Sequence, residues 1–352
     1  MSTGLKKWQH YALNILFILV LAGIVYWVVV KDNSVDILSL IKKADFFWIG
    51  VAILCLLLMR CCTAYIYKCL CHFTHPHYRL VDGFVNSFSG FFFSAITPSY
   101  TGGQFAQAYV FGKQGIPISV AASVLWVDFV IAQSTLVTSV LLFLLLRFNY
   151  FYYNYSQFFI FVIIGFFMNA AIIVVLFMLV RFPRFYKWVM NTGVEIVGKL
   201  KLTKDKEVLR EKINRTVDRF QNELSIFASH KKLLALLFSI DFVKNLLYYI
   251  VPYFVALGLR LAVPANQIIH IMALASFVNV INALIPLPGS SGGTEVTFVL
   301  MFSTIFGNIQ ATSIMLVWRF ITYYLMMIIG GIMFVIVKVS PSKTITESEK
   351  KE

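Results

Sequence analysis

Apolar runs of roughly twenty residues recur along the chain, parted by short polar or basic connections. Six of them predict complete membrane-spanning helices: Tyr11 to Val30, Phe46 to Tyr67, Ser119 to Leu146, Phe158 to Val180, Leu233 to Leu257 and Ala311 to Val337. Two further apolar stretches, about 81 to 115 and about 267 to 307, are interrupted midway, at "TPSYTGGQF" and at "PLPGSSGGTE". Proline removes a helix donor and glycine permits a tight turn, so each stretch reads as two half-helices joined at depth. Backbone outside a helix is tolerable there only where protein or water satisfies it, so both turns are expected to line a cavity.

Charge decides how those two stretches run. Between Arg181 and Lys232 there are 13 basic and 6 acidic residues, which assigns this connection to the cytoplasm. Lys6 and Lys7 place the amino terminus there, and Lys68 and Arg79 the loop after the second span, whereas "RFNYFYYNYSQ" (Arg147 to Gln157) carries one charge and a tyrosine cluster suited to an outer interface. These assignments agree only if 81 to 115 enters from the cytoplasm and returns, and 267 to 307 enters from outside and returns. The expectation is an all-α polytopic membrane protein with about six full spans and two re-entrant hairpins, or eight spans if hairpins count as crossings. It is multi-pass in a bacterial cytoplasmic membrane, with both termini inside.

Composition narrows the class further. Of 352 residues 59% are hydrophobic and 13% charged, and mean hydropathy is +0.80, far from soluble usage. The net charge of +14 is explained by membrane orientation, so no nucleic-acid partner is expected. The first run mimics a signal peptide after Lys6 and Lys7 but is too long and ends in "VVVK", and it reads as an uncleaved span. Five cysteines (Cys55, Cys61, Cys62, Cys69 and Cys71) crowd one segment in odd number, which argues against a disulfide framework. The expected organisation is one membrane domain over 1–340, with an amphipathic cytoplasmic connection at 181–232 and a short cytoplasmic tail at 341–352.

Within that domain, span, hairpin and span occur twice, over 46–146 and 233–337. "TPSYTGGQFAQAYVF" aligns with "PLPGSSGGTEVTFVL", and "SVLWVDFVI" with "IMLVWRFIT"; Gly103 lies 25 residues before Asp128, and Gly293 26 before Arg319. An inverted repeat of broken helices is the architecture in which transporters build a midplane site. A half-helix start presents free N–H groups to an anion. The candidate head-group residues are therefore Thr101, Gly102, Gly103 and Gln104 at the first turn, and Ser290, Ser291, Gly292, Gly293 and Thr294 at the second. The plainer reading is that Gly-Gly only lets helices pack closely.

Asp128, Asp241, Lys244 and Arg319 fall inside spans and Glu295 beside the second turn, where charge is costly and demands a partner. Asp241 and Lys244, three apart, share a helical face. Asp128 and Arg319, at like positions in the two halves, are expected to pair. Lys244 and Arg319 are candidate counter-ions for a lipid phosphate, and Asp128, Asp241 and Glu295 candidate proton relays or members of purely structural ion pairs. Glu295 also suits a cap on its own helix. Arg60 reads as a snorkelling residue outside the site.

Other signals carry less. "CLCHFTHPH" (Cys69 to His77) matches no firm metal template, and no metal or cofactor is expected. Residues 205 to 229 place Leu209, Ile213, Val217, Phe220, Leu224 and Phe227 on one face opposite basic residues, an amphipathic helix for the anionic inner leaflet. No Walker A, Rossmann or GxSxG pattern occurs, which speaks against ATP-driven transport by this chain alone.

At its hairpins, "TPSYTGGQFAQAYVFGKQGIPIS" with "VLWVDF" and "NALIPLPGSSGGTE" with "VWRF", the chain resembles the lysylphosphatidylglycerol synthase transmembrane-region family, the flippase-like membrane domain of MprF-type proteins. That resemblance spans nearly the whole chain. It implies re-entrant helices and lipid translocation, as in aminoacyl-phospholipid members. Full-length synthases carry a cytoplasmic acyltransferase-like domain that uses lysyl-tRNA. Here 15 residues follow Val337, so the expectation is a chain without that catalytic part. The reading that follows is an ATP-independent lipid flippase or transporter for an anionic or aminoacylated phospholipid, or a polyprenyl glycolipid. A phosphatidylglycerol lysyltransferase-type enzyme or subunit, and a membrane scaffold, stand as alternatives. A homo-oligomer and a separate lipid-synthesis enzyme remain open as partners.

Overall fold

The computed structural model describes residues 34–97, 100–154, 156–182, 227, 229–282, 285 and 287–341. The expected span Tyr11 to Val30, most of the amphipathic stretch 205 to 229, and the tail from 342 lie outside them. The protein is an all-α polytopic membrane protein, with no β-strand among the described residues. Phe46–Cys71, Ile118–Phe148, Lys231–Gly258, Ala265–Asn282 and Asn308–Val339 are each long and apolar enough to cross a membrane.

A short helix α1 (Ser34–Lys42) leads to α2 (Phe46–Cys71), whose first turn is capped by Asp45 accepting from Phe47 N at 3.0 Å. Next come α3 (Leu80–Ile96) and α4 (Gly102–Lys113), the arms of the first broken stretch. Thr97 ends α3 in extended conformation, as the residue before a proline favours. Its hydroxyl donates to Phe93 O at 2.6 Å and accepts from Gly102 N at 2.9 Å, so one side chain ties the two arms across the break.

Helix α5 (Ile118–Asn154) bends at Arg147 and is followed by α6 (Ser156–Arg181). After residue 230, α7 (Lys231–Tyr249) and α8 (Val251–Gly258) meet where Pro252 cannot supply a helix donor. The second broken stretch gives α9 (Ile268–Asn282) and α10 (Gly293–Phe306). Helix α11 (Asn308–Arg319) passes through a π turn at Phe320–Leu325 into α12 (Met326–Val339).

At 1.5 Å per residue α3, α4 and α10 rise roughly 18 to 26 Å, short of the roughly 30 Å of hydrocarbon, whereas α9 with the turn before it, Ala265–Asn282, is long enough to cross. Small residues rather than apolar burial bring these helices together, because lipid is as apolar as their side chains. A Cβ on Gly83 would lie 2.6 Å from Ala64 O, and one on Gly330 2.3 Å from Phe88 O, so α2, α3 and α12 touch backbone to backbone.

The contacts sort helix ends into two groups. At one end Tyr78 Oη donates to Gln114 Oε1 at 3.1 Å, closing the base of the first hairpin, and Phe73 packs on Phe227 and His230. At the other, Asp45 N donates to Gly258 O at 2.6 Å, and Phe151 packs on His270.

Candidate functional site

Two polar centres lie among the apolar helices, and the second turn builds the first of them. Gly289 (φ 57°), Ser290 (φ 49°) and Gly292 (φ 87°) hold left-handed backbone there, unfavourable for the serine. Ser290 Oγ donates to Asn282 O at 3.0 Å and Thr294 Oγ1 to Ser290 O at 2.9 Å, which fixes the turn despite that cost. Glu295 then accepts from Gly292 N at 2.7 Å, capping α10, and its other oxygen lies 2.8 Å from Arg319 Nε.

That second contact is one of charge rather than a directed hydrogen bond, since the Nε–H is not aligned on it. Arg319 spends its directed donors on the turn, Nη2 to Gly289 O at 2.7 Å and to Ser291 Oγ at 3.2 Å, and stacks on the Tyr323 ring at 4.0 Å. Arg319 and Glu295 are each 5% exposed. The π turn begins at the next residue, a feature frequent at functional sites. Tyr323 Oη donates to Ala95 O at 2.9 Å, and Tyr100, itself at φ 57°, faces both Ser290 and Arg319. The two hairpin turns therefore meet at this centre.

The second centre joins α2, α4, α5 and α7. Asp241, fully buried, is paired with Lys244 and accepts from Thr135 Oγ1 at 2.5 Å. Asn245 Nδ2 donates to that hydroxyl at 3.0 Å. Asp128 accepts from Tyr67 Oη at 3.2 Å, Gln107 Nε2 donates to the same phenol at 2.6 Å, and the carboxylate lies in the field of Lys244. Lys244 is near the middle of the Lys231–Gly258 span, where a cation needs the carboxylate it has, and its side chain is 16% exposed.

The expected pairing of Asp128 with Arg319 is corrected. Arg319 reaches the start of α10 and Asp128 reaches α4 through Tyr67 and Gln107, so each serves the hairpin of its own half of the sequence. Near-equal spacing from two like motifs implies like surroundings, not proximity.

Among the proposed head-group residues, Ser290, Ser291, Gly292 and Thr294 gather with Glu295 and Arg319 at the second turn, while Thr101 and Gln104 are exposed at the first. Gly103 and Gly293 sit at close contacts. A Cβ on Gly103 would meet Ser94 Oγ at 1.9 Å and Gly90 O at 2.9 Å, and one on Gly293 would meet Ile285 Cδ1 at 2.3 Å. Gly102 abuts Thr97 in the same way.

Arg60 is held inside the helix bundle and not turned out along its own helix: it is residue 15 of the 26 in α2, with its guanidinium 4.3 Å from the Phe91 ring and 5.5 Å from Phe88. A lone charge that far inside an apolar run was the available signal. Tyr67, Gln107, Thr135 and Asn245 carried none, since hydroxyls and amides are common in spans. Among the described residues no group of three or more His, Cys, Asp or Glu side chains is arranged to hold a metal ion.

The family described as the lysylphosphatidylglycerol synthase TM region matches residues 14–330. No curated protein and no solved structure matches the chain.

Proposed function

Since the chain belongs to the lysylphosphatidylglycerol synthase transmembrane-region family, we propose that it moves an anionic or aminoacylated phospholipid, or a polyprenyl-linked glycolipid, across the cytoplasmic membrane without ATP. One observation carries this reading: Arg319, at the meeting point of the two broken helices, is balanced by a carboxylate that also caps a helix. Glu295 occupies the anion position that a half-helix start offers, so a head-group phosphate binds by exchange. The phosphate takes Arg319 and the Ser291 hydroxyl, and Glu295 either accepts a proton or withdraws toward Gly292 N. When the head group leaves, Glu295 returns, and the cation is at no stage left bare in a low-dielectric site.

Lys244 and Asp241 offer the same exchange at the second centre. Thr135, itself held by Asn245, keeps the displaced carboxylate in place. Acyl chains stay in lipid while the head group passes between the centres. The hairpins enter from opposite faces in this scheme. The separate grouping of Tyr78 with Gln114 at one end, and of Asp45 with Gly258 at the other, supports it.

Vesicles carrying the protein and fluorescent phosphatidylglycerol, bleached by an impermeant reductant, test the proposal. The wild type should bleach most of the label, whereas vesicles with the double variant Arg319→Gln, Glu295→Gln should lose only the outer half. A folded double variant that moves lipid at the wild-type rate would leave the pair structural and remove the basis of the proposal.

A further inference from the structure

Three cations lie deep among the spans, and two of them have a carboxylate: Lys244 has Asp241 and Arg319 has Glu295. Arg60 has none in ion-pair contact among the described residues. Its Nε is buried without a hydrogen-bond partner, and its guanidinium is held against Phe88 and Phe91. The groups within its electrostatic reach are the phenols of Tyr67 and Tyr248 and the ammonium of Lys244, which adds to the positive charge. Tyr248 in turn lies within electrostatic reach of Arg319 and Tyr100, which belong to the meeting point of the hairpin turns.

A bare guanidinium at this depth is costly, and stacking on two phenyl faces offsets only part of that cost. The missing half is an anion. We propose that Arg60 is the resident anion-binding group of the unliganded protein, taking a phosphate oxygen pair in a bidentate grip while Phe88 and Phe91 back its plane. Guanidinium suits this task because its planar fork matches two phosphate oxygens, which an ammonium cannot do. The inference rests on the lipid reading for its ligand, and the phosphate chemistry is common to a phospholipid head group and to free phosphate.

Stability and binding of Arg60→Gln and Arg60→Lys, purified in a non-ionic detergent, decide it without any transport assay. Three probes are added separately: short-chain phosphatidylglycerol, the diacylglycerol with the same tails, and inorganic phosphate. Because Arg60 has no carboxylate to orphan, Arg60→Gln should unfold at a higher temperature than the wild type when no lipid is present. Phosphatidylglycerol should raise the wild-type midpoint and diacylglycerol should not. Binding to Arg60→Gln should be at least about tenfold weaker, the loss implied by one charge-assisted hydrogen bond. Arg60→Lys should fall between the two.

A shift by inorganic phosphate that Arg60→Gln abolishes supports the site with the free anion as sufficient ligand. A shift by phosphatidylglycerol alone supports it with the lipid as ligand. Lower stability of unliganded Arg60→Gln overturns the proposal, because it reveals a partner for Arg60. Unchanged affinity for phosphatidylglycerol overturns it too. If Arg60 binds the lipid but the vesicles show no translocation, the flippase reading fails while this one stands.

Discussion

Arg319 holds a carboxylate on one edge, a backbone carbonyl and a hydroxyl on another, and a phenol ring on its face. Removing Glu295 alone leaves that charge buried and uncompensated, which costs about 3 to 5 kcal/mol when nothing replaces the partner. A double-mutant cycle of Arg319→Gln with Glu295→Gln should therefore show coupling above about 1 kcal/mol, the double variant being more stable than either single-variant loss implies. The cycle of Arg319→Gln with Asp128→Asn should be additive within about 0.5 kcal/mol, since those side chains serve different hairpins. Denaturant unfolding in detergent reads both cycles. Strong coupling in the second would restore the pairing that like spacing suggested. At this scale the sequence shows which residues are anomalous, because a charge in an apolar run stands out. Partner choice depends on how helices rotate against one another, and no spacing along the chain encodes that. Arg60 was legible as an anomaly, but its seat against Phe88 and Phe91 of the neighbouring helix was not.

Helices and breaks were far more legible. Apolar length sets where a helix must cross, and the starts and ends of α2, α6, α7 with α8, and α11 with α12 fall within a few residues of the expected spans, whereas α5 bends where its span was expected to end and continues to Asn154. The breaks between α3 and α4 and between α9 and α10 were legible because proline and glycine act locally. The two functions of glycine were not, and they separate at the level of elements. Gly292 needs its left-handed backbone in open space, whereas Gly103 has ordinary φ and no room. Gly103→Ala should destabilise the first hairpin by about 1 to 3 kcal/mol through overpacking against α3. Gly112→Ala lies on the same helix with nothing within 4 Å, and should be neutral or stabilising by up to about 1 kcal/mol. Thermal unfolding of the two variants checks the contrast. Equal effects would mean that α4 responds to backbone entropy alone and that the close approach at Gly103 carries no energy.

For the whole molecule, the question is to which sides of a membrane a chain with one kind of broken helix used twice presents its turns. The π turn and α12 run down α3, with Tyr323 of the turn level with Ala95 and Gly330 of α12 level with Phe88, so the carboxyl end of α12 lies beside the base of the first hairpin. Helices α8 and α9 keep their connection at the opposite end, beside Asp45 and Phe151. If the excess of basic residues between Arg181 and Lys232 keeps that connection in the cytoplasm, the first turn opens inward and the second outward. A variant lacking Cys55, Cys61, Cys62, Cys69 and Cys71 gives the background for a direct measurement. Into it go Thr101→Cys, at an exposed position of the first turn, and Leu287→Cys, at a half-buried position of the second. A membrane-impermeant maleimide applied to right-side-out vesicles should label Leu287→Cys and leave Thr101→Cys untouched, and inverted vesicles should reverse the result. Labelling of both from one side would mean that the two hairpins share an entrance, and exchange between Arg319 and Lys244 could not then carry a head group from one leaflet to the other.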